Sequence, residues 1–140
     1  MTERTEYAGA PVRVGDKSLP WPLMNVDFDG VLADYHGYKY SDTAFPPLPD
    51  ARKLLRYLRA RGYSIVIHSA RPTSEIEAWL RKYRMASLVD AISPVKVPGL
   101  ILDDRCGRYD PRRSVEENVA EAERPSWWDE EDEDGREAAT

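Results

Sequence analysis

Short apolar runs that end on polar residues alternate with amphipathic helical segments along this chain. Residues 23–27 predict a buried strand that ends on an acid, residues 65–67 form a β-branched run, and residues 100–102 are fully apolar. Between the first two runs, residues 51–58 carry apolar side chains at positions i, i+3, i+4 and i+7, the spacing of one helical face. This alternation predicts an α/β fold with a three-layer, Rossmann-like parallel sheet and helices on both faces.

Capping residues mark where the predicted helices begin. Asp50 precedes the first helix and belongs to a residue type favoured at the N-cap. Thr73 or Ser74 caps the second helix, and Ser74 with Glu77, like Ser114 with Glu117, has the Ser-x-x-Glu spacing of a capping box. The sequence therefore predicts three helices, two of them between strands and one after the last strand.

One domain accounts for most of the 140 residues. Residues 1–20 have little periodicity and predict an N-terminal arm, whereas residues 21–124 contain the alternating strands and helices. Residues 125–140 are too acidic and too poor in aliphatic side chains to pack a core, so we expect a disordered tail.

The net charge of −5 is concentrated in that tail. Arg136 is its one basic residue, and its seven acids are Asp129, Glu130, Glu131, Asp132, Glu133, Asp134 and Glu137. The tail therefore carries −6, and subtracting −6 from −5 leaves +1 for the rest of the chain. A near-neutral body lacks the strong basic footprint of a dedicated nucleic-acid binder.

The composition favours a cytoplasmic protein without a membrane segment. No apolar run approaches the roughly 18 residues that cross a bilayer, and residues 1–10 lack the apolar core of a secretory signal. Cys106 is the only cysteine, which excludes an intrachain disulfide and suits a reducing compartment. His36 and His68 do not form a zinc pattern with it.

Asp27 and Asp29 are the first candidate catalytic residues, because they follow a predicted buried strand and precede Gly30. Carboxylates at i and i+2 can point into one site as the chain leaves the sheet, and they repel each other unless a cation lies between them. Mg²⁺ prefers oxygen ligands, and a carboxylate can attack phosphorus. The pair indicates a magnesium site with a nucleophile, although an isolated match of this kind is more often a turn with two solvated acids.

Ser69, Ala70 and Arg71 follow the next predicted strand. A hydroxyl and a backbone N–H at a strand end can hold a phosphoryl oxygen, although a loop serine alone is common. The forked guanidinium of Arg71 can grip a second phosphate or a carboxylate. Equally, it can pair with an acidic side chain of the chain itself.

Lys96 and the pair Asp103 and Asp104 complete the candidate set. Lys96 lies in a proline-containing loop before the last strand, where an ammonium would neutralise a phosphate and the charge that develops on it. The two acids follow that strand, where metal ligation is the natural reason for adjacent carboxylates. Since the carboxyl ends of parallel strands line one crevice, we expect all four elements to meet there.

The pattern resembles the motifs of the haloacid dehalogenase superfamily of phosphohydrolases. The similarity covers roughly residues 23–110, and its four motifs are residues 27–31, Ser69, Lys96 and the pair Asp103 and Asp104. The resemblance implies a Rossmann-like fold, a Mg²⁺ cofactor and hydrolysis of a phosphomonoester through an aspartyl-phosphate.

The resemblance also implies a role for each candidate residue. Asp27 would be the nucleophile, and Asp29 would act as general acid and then general base, with its backbone carbonyl on Mg²⁺. Ser69 and Lys96 would hold the phosphoryl group. Asp103 would be the main metal ligand of the last motif, directly or through water, and Asp104 the second.

No cap domain is expected, because the two segments where the family inserts one, residues 32–49 and 73–95, are too short. An open site suits a large phosphorylated substrate such as a nucleic-acid end or a phosphoprotein, and an oligomer could cover it instead. The tyrosine-rich loop at residues 34–40 could stack on a base or pack on its own domain. The leading hypothesis is a phosphatase that acts on a nucleotide, a nucleic-acid end or another phosphomonoester. A phosphotransferase activity and a binding module without turnover remain as alternatives.

Overall fold

The computed structural model describes residues 10–33, 46–102 and 109–124. The elements in chain order are β1 (Val12–Val14), β2 (Lys17–Leu19), β3 (Leu23–Asp27), α1 (Ala51–Ala60), β4 (Ser64–His68), α2 (Thr73–Lys82), a 3₁₀ turn (Ala86–Leu88), β5 (Ala91–Ser93), β6 (Leu100–Leu102) and α3 (Val115–Glu123).

The main sheet has four parallel strands in the order β5-β4-β3-β6. Its two central strands, β3 and β4, are buried along almost their whole length, which accounts for their nearly continuous apolar runs. The predicted α/β class with a Rossmann-like parallel sheet is confirmed. Within residues 46–102, the chain runs from α1 to β6 with no added domain.

The described helices all pack on one face of this sheet. Met24 and Val26 of β3 share a single core cluster with Leu54 of α1, Ile76 of α2 and Val119 of α3. The arrangement therefore differs from the predicted helices on both faces, within the ranges that the structure describes. The crossovers from β3 to β4 and from β4 to β5 run in the same direction, and right-handed crossovers then put α1 and α2 on the same side.

The opposite face is covered by the β1–β2 hairpin. Leu23 and Val66 point to this side and cluster with Val12, Val14 and Leu19 of the hairpin. The return crossover from β5 to β6, which would place a helix here, is only the six-residue loop 94–99. Residues 12–19, which fall in the predicted N-terminal arm, thus form part of the packed structure.

The helix starts agree with the capping prediction at α3 but not at α2. Ser114 accepts from the N–H of Glu117, whose side chain returns to the Ser114 N–H, so this capping box is confirmed. The capping box predicted at Ser74 is wrong, because Pro72 is the N-cap and Ser74 lies inside the helix. Asp50 stands at the N-cap of α1 without a side-chain capping bond.

Three predicted features lie outside the described residues: the tyrosine-rich loop at 34–40, the acid pair at 103–104 and the acidic segment 125–140. Among the residues that the structure does describe, no helix has the length and apolarity that crossing a bilayer requires.

Candidate active site

Asp27 is the last residue of β3 and lies level with the ends of two neighbouring strands. It stands in register with His68 of β4, which stands in register with Ser93 of β5. On the other side, Leu102 ends β6 opposite Val26, one residue before Asp27. The carboxyl ends of all four strands therefore form one edge, as the sequence predicts for the catalytic elements.

A tight turn directs the chain away from the sheet directly after Asp27. The N–H of Phe28 donates to Asp27 Oδ1 at 2.9 Å, which fixes the orientation of that carboxylate. Gly30 adopts φ 90°, a left-handed conformation that favours glycine. Its N–H donates to the Ala33 carbonyl at 2.8 Å, while the Phe28 carbonyl accepts from Ala33 at 2.9 Å. The carbonyl of Asp29 takes no part in these bonds.

Arg71 joins the first and second candidate motifs. Its Nε and Nη2 donate to Oδ2 and Oδ1 of Asp29 at 2.8 and 3.1 Å, and its Nη1 donates to Glu75 at 2.9 Å. The Arg71 side chain is only 12% exposed. The hydrogen bonds to Asp29 are the main cause that raises the pKa of Arg71, with the charges of Asp29 and Glu75 acting in the same direction. The sequence left two interpretations of Arg71 open: binding of a ligand phosphate or carboxylate, and pairing with acidic side chains of the chain. The structure contains the pairing with acidic side chains.

Ser69 is buried directly after β4, and its backbone N–H is hydrogen-bonded to β5. Its N–H donates to the Ser93 carbonyl at 3.2 Å, and its Oγ accepts from the Arg71 N–H at 3.0 Å. Ala70 lies between these two anchored residues. The hydroxyl of Ser69 therefore helps to shape the loop that presents Arg71.

Lys96 is exposed in the loop 94–99, which crosses from β5 to β6. Two buried side chains hold the loop. Asn25 of β3 bonds to the backbone of Val97, and Ser93 bonds to the backbone of Val95. Lys96 lies between these two anchored residues, on a loop tied to the strand that carries Asp27.

The donor chemistry at the end of β3 suits Mg²⁺. A carboxylate at Asp27 and a backbone carbonyl at Asp29 are oxygen ligands of the type that Mg²⁺ prefers. Asp103 and Asp104, the other predicted ligands, lie outside the described residues. Within the described ranges, no three acidic, histidine or cysteine side chains group as a metal site.

A cleft of about 430 Å³ lies beside β5, the outermost strand of the sheet, between the β1–β2 turn and α2. Its walls include Asp16, Glu77 and Ile92, and none of the predicted site residues that the structure describes lines it. The chemistry proposed for the strand ends therefore does not depend on this cleft.

Three residues near the site were not singled out from the sequence. Glu75 shares Arg71 with Asp29, while Asn25 and Ser93 anchor the loop that carries Lys96. Asn25 could have been singled out from the sequence, because it is a polar residue inside an otherwise apolar run. Glu75 follows Arg71 by four residues, a spacing that permits an ion pair along a helix.

No protein-family model and no curated protein sequence matches the chain. Among solved structures, it is similar to a conserved protein from Bacteroides thetaiotaomicron, with 20% identity, a TM-score of 0.46, and coverage of 59% of this chain and 75% of that one. It is also similar to a D,D-heptose 1.7-bisphosphate phosphatase from B. bronchiseptica, complexed with magnesium and phosphate. That match has 20% identity, a TM-score of 0.41, and coverage of 71% of this chain and 62% of that one. At these TM-scores the similarity assigns the chain neither a family nor an activity.

Proposed function

We propose that this chain is a magnesium-dependent phosphomonoester hydrolase of the haloacid dehalogenase type, in which Asp27 is the nucleophile. The observation that carries the proposal is the contact of Arg71 with both carboxylate oxygens of Asp29. It brings a strand-end acid pair and a strand-end Ser-Ala-Arg segment, which are 42 residues apart in sequence, to one place. A single site with a nucleophile, a proton carrier and a phosphate-binding cation supports phosphoryl transfer better than it supports a turn of solvated acids.

In the first step, an Asp27 carboxylate oxygen attacks phosphorus and the bond to the leaving oxygen breaks. The Phe28 N–H donates to Oδ1 and holds the carboxylate in position. Asp29 donates its proton to the leaving oxygen, so an alcohol departs and an aspartyl-phosphate remains. Ser69 and Lys96 hold the phosphoryl oxygens in this proposal, and the ammonium balances their charge.

In the second step, water hydrolyses the aspartyl-phosphate. Asp29 takes a proton from the water as its oxygen attacks phosphorus, and the bond to Asp27 breaks. Inorganic phosphate leaves, Asp27 is a carboxylate again, and Asp29 has regained the proton that it gave in the first step. An alcohol in place of water would give a phosphotransferase by the same chemistry.

Arg71 must release Asp29 for this cycle, because it engages both carboxylate oxygens. The phosphoryl oxygens of a substrate offer the same guanidinium an alternative partner with matching geometry. Substrate binding would then transfer Arg71 from Asp29 to phosphate, and Asp29 would become able to exchange protons.

The carboxylate of Asp27, the backbone carbonyl of Asp29, and Asp103 with Asp104 are the proposed ligands of Mg²⁺. When bound, Mg²⁺ offsets the repulsion between phosphate and the acids and polarises the phosphoryl group. We propose a phosphomonoester on a nucleotide or a nucleic-acid end as substrate, because no cap domain lies within residues 46–102 to enclose a smaller one.

The test is hydrolysis of p-nitrophenyl phosphate with Mg²⁺ by wild type, Asp27→Asn and Asp29→Asn. We expect Asp27→Asn to lose about 10³-fold or more in kcat, because it keeps the shape but not the nucleophile. Glu116→Gln is the matched control, since Glu116 is an exposed acid on α3 whose carboxylate lies 3.9 Å from Lys53. It should keep the wild-type rate.

Four outcomes separate the alternatives. Equal rates in wild type and Asp27→Asn would remove Asp27 from the mechanism, and activity that persists in EDTA would remove the metal. A folded wild type without turnover on nucleotides, 3′- and 5′-phosphorylated oligonucleotides and sugar phosphates would favour a binding module. Phosphate transfer to an added alcohol at the expense of free phosphate would favour a phosphotransferase.

A further inference from the structure

Lys96 lies in a loop that has few backbone hydrogen bonds of its own. The loop runs from Pro94 to Gly99, and its two prolines, Pro94 and Pro98, have no N–H to donate. Side chains can supply partners for the remaining peptide groups of such a loop. Two side chains supply them, one on each side of Lys96.

Asn25 holds the residue that follows Lys96. Its Oδ1 accepts from the Val97 N–H at 3.0 Å, and its Nδ2 donates to the carbonyls of Val97 at 2.8 Å and Leu100 at 3.0 Å. Asn25 is 1% exposed. The side-chain amide therefore pairs with both polar groups of Val97, as a neighbouring strand would.

Asn25 also places this anchor close to the nucleophile. Side chains alternate along a strand, so Asn25 and Asp27 of β3 point to the same face of the sheet. Their Cα atoms are about 7 Å apart at the usual rise of a strand. The loop that carries Lys96 is thus bonded to the strand of Asp27 itself, two residues away from it.

Ser93 holds the residue that precedes Lys96. Its Oγ donates to the Val95 carbonyl at 2.6 Å and accepts from the Val95 N–H at 3.2 Å. Ser93 is also buried, and it lies level with Asp27 through His68. The N–H and carbonyl groups of both residues that flank Lys96 are therefore bonded by buried side chains.

We propose that Asn25 and Ser93 are positioning residues, which fix the backbone on both sides of Lys96 so that its ammonium meets the phosphoryl group at Asp27. The proposal rests on the function proposed above. A lysine side chain is long and flexible, and its rate contribution depends on where its Cα is held. Because the ammonium acts on charge that develops in the transition state, a displaced Lys96 lowers kcat more than it raises KM.

The experiment is a double-mutant cycle measured as kcat and KM with p-nitrophenyl phosphate and Mg²⁺. Asn25→Leu keeps the side-chain size and removes all three bonds to the loop, whereas Ser93→Ala removes one hydroxyl and is the milder variant. Each should lower kcat about 10- to 100-fold and change KM by no more than about 2-fold. In a Lys96→Met background, the same substitutions should lower kcat by less than about 2-fold, because the group that they position is gone.

Ser64→Ala is the matched control. Ser64 is a buried serine at the start of β4 that donates to the Pro20 carbonyl at 2.6 Å, at the end of the sheet opposite Lys96. It should leave kcat unchanged.

The proposal is overturned if folded Asn25→Leu and Ser93→Ala keep wild-type kcat, or if their losses are undiminished in the Lys96→Met background. This failure differs from that of the proposed function. In the latter case, wild type itself would have no turnover, or Asp27→Asn would keep it.

Discussion

Replacing Arg71 by methionine should destabilise the protein markedly, because two partly buried carboxylates lose the cation that they pair with. Arg71 makes two hydrogen bonds to Asp29 and one to Glu75, and the three side chains are 12%, 20% and 24% exposed. A hydrogen bond to a charged group contributes about 1.5–3 kcal/mol net. Taking the lower value for each carboxylate, because both keep some contact with water, gives a loss of about 3 kcal/mol in the free energy of unfolding.

This loss should be measured by thermal and urea unfolding at pH 7 in EDTA, so that no added metal compensates the acids. For a domain of this size, it corresponds to a fall in Tm of about 10 °C. Methionine keeps most of the apolar stem of arginine, so the fall reports lost charge pairing and not a cavity.

Arg112→Met is the control, because Arg112 forms an ion pair that is exposed to solvent. Arg112 also donates twice to a single carboxylate, that of Asp110 at 3.1 Å, but its side chain is 89% exposed. Exposed pairs contribute little to stability, so its Tm should stay at the wild-type value. If Arg71→Met and Arg112→Met gave the same Tm within about 2 °C, solvent would screen the ion pairs of Arg71 as strongly as it screens an exposed pair. That result would refute our estimate of the loss.

Three further predictions concern the scaffold around the site. Gly99→Ala should unfold the protein or lower its Tm far more than Ser64→Ala does, because a Cβ at φ 151° would lie 2.7 Å from the Leu23 carbonyl oxygen. Ser114→Ala should lose about 1 kcal/mol in urea unfolding. The backbone N–H of Ser114, and after it the hydroxyl, lower the pKa of Glu117, so the stabilisation from these two bonds is present above the unfolded pKa of Glu117 and is lost as the pH falls through its folded pKa. Alanine keeps the N–H and removes the hydroxyl. The Ser114→Ala deficit should therefore shrink in acid, and an equal deficit at pH 7 and pH 3 would contradict it. Burial, with a smaller contribution from the charge of Asp50, raises the pKa of Tyr109 to about 12. The stability that the protein gains from this shift is complete below the unfolded pKa of Tyr109, near 10, and is lost as the pH rises from about 10 to 12. Tyr109→Phe should thus lose less stability than wild type between pH 8 and pH 11, and parallel losses would refute the assignment.

The hydrophobic pattern was sufficient to predict the class of fold and most of its elements. The runs that became β3 and β4 are apolar because helices cover one side of these strands and the hairpin the other. The Ser114–Glu117 capping box could be read from the sequence because both partners lie within one turn. Ser74 and Glu77 have the same spacing, yet α2 begins after Pro72, so spacing alone does not fix where a helix starts.

The distribution of elements between the two faces needed the tertiary structure. The sequence does not state the order of strands in a sheet, and that order decides the side on which each crossover lies. With the order β5-β4-β3-β6, α1 and α2 share one face. The short loop before β6 leaves the other face to the hairpin.

The sequence by itself indicated which residues to propose for the chemistry, because Asp27, Asp29, Ser69, Arg71 and Lys96 each lie at or close to the end of an apolar strand. Residue type and position relative to a strand end are local properties, so a single chain displays them. The partners of those side chains were decided only by the tertiary structure. That Arg71 binds both oxygens of Asp29, and that an asparagine inside β3 holds the loop of Lys96, depends on bonds across 42 and 72 residues. Such contacts follow from strand order and register, which no local pattern specifies.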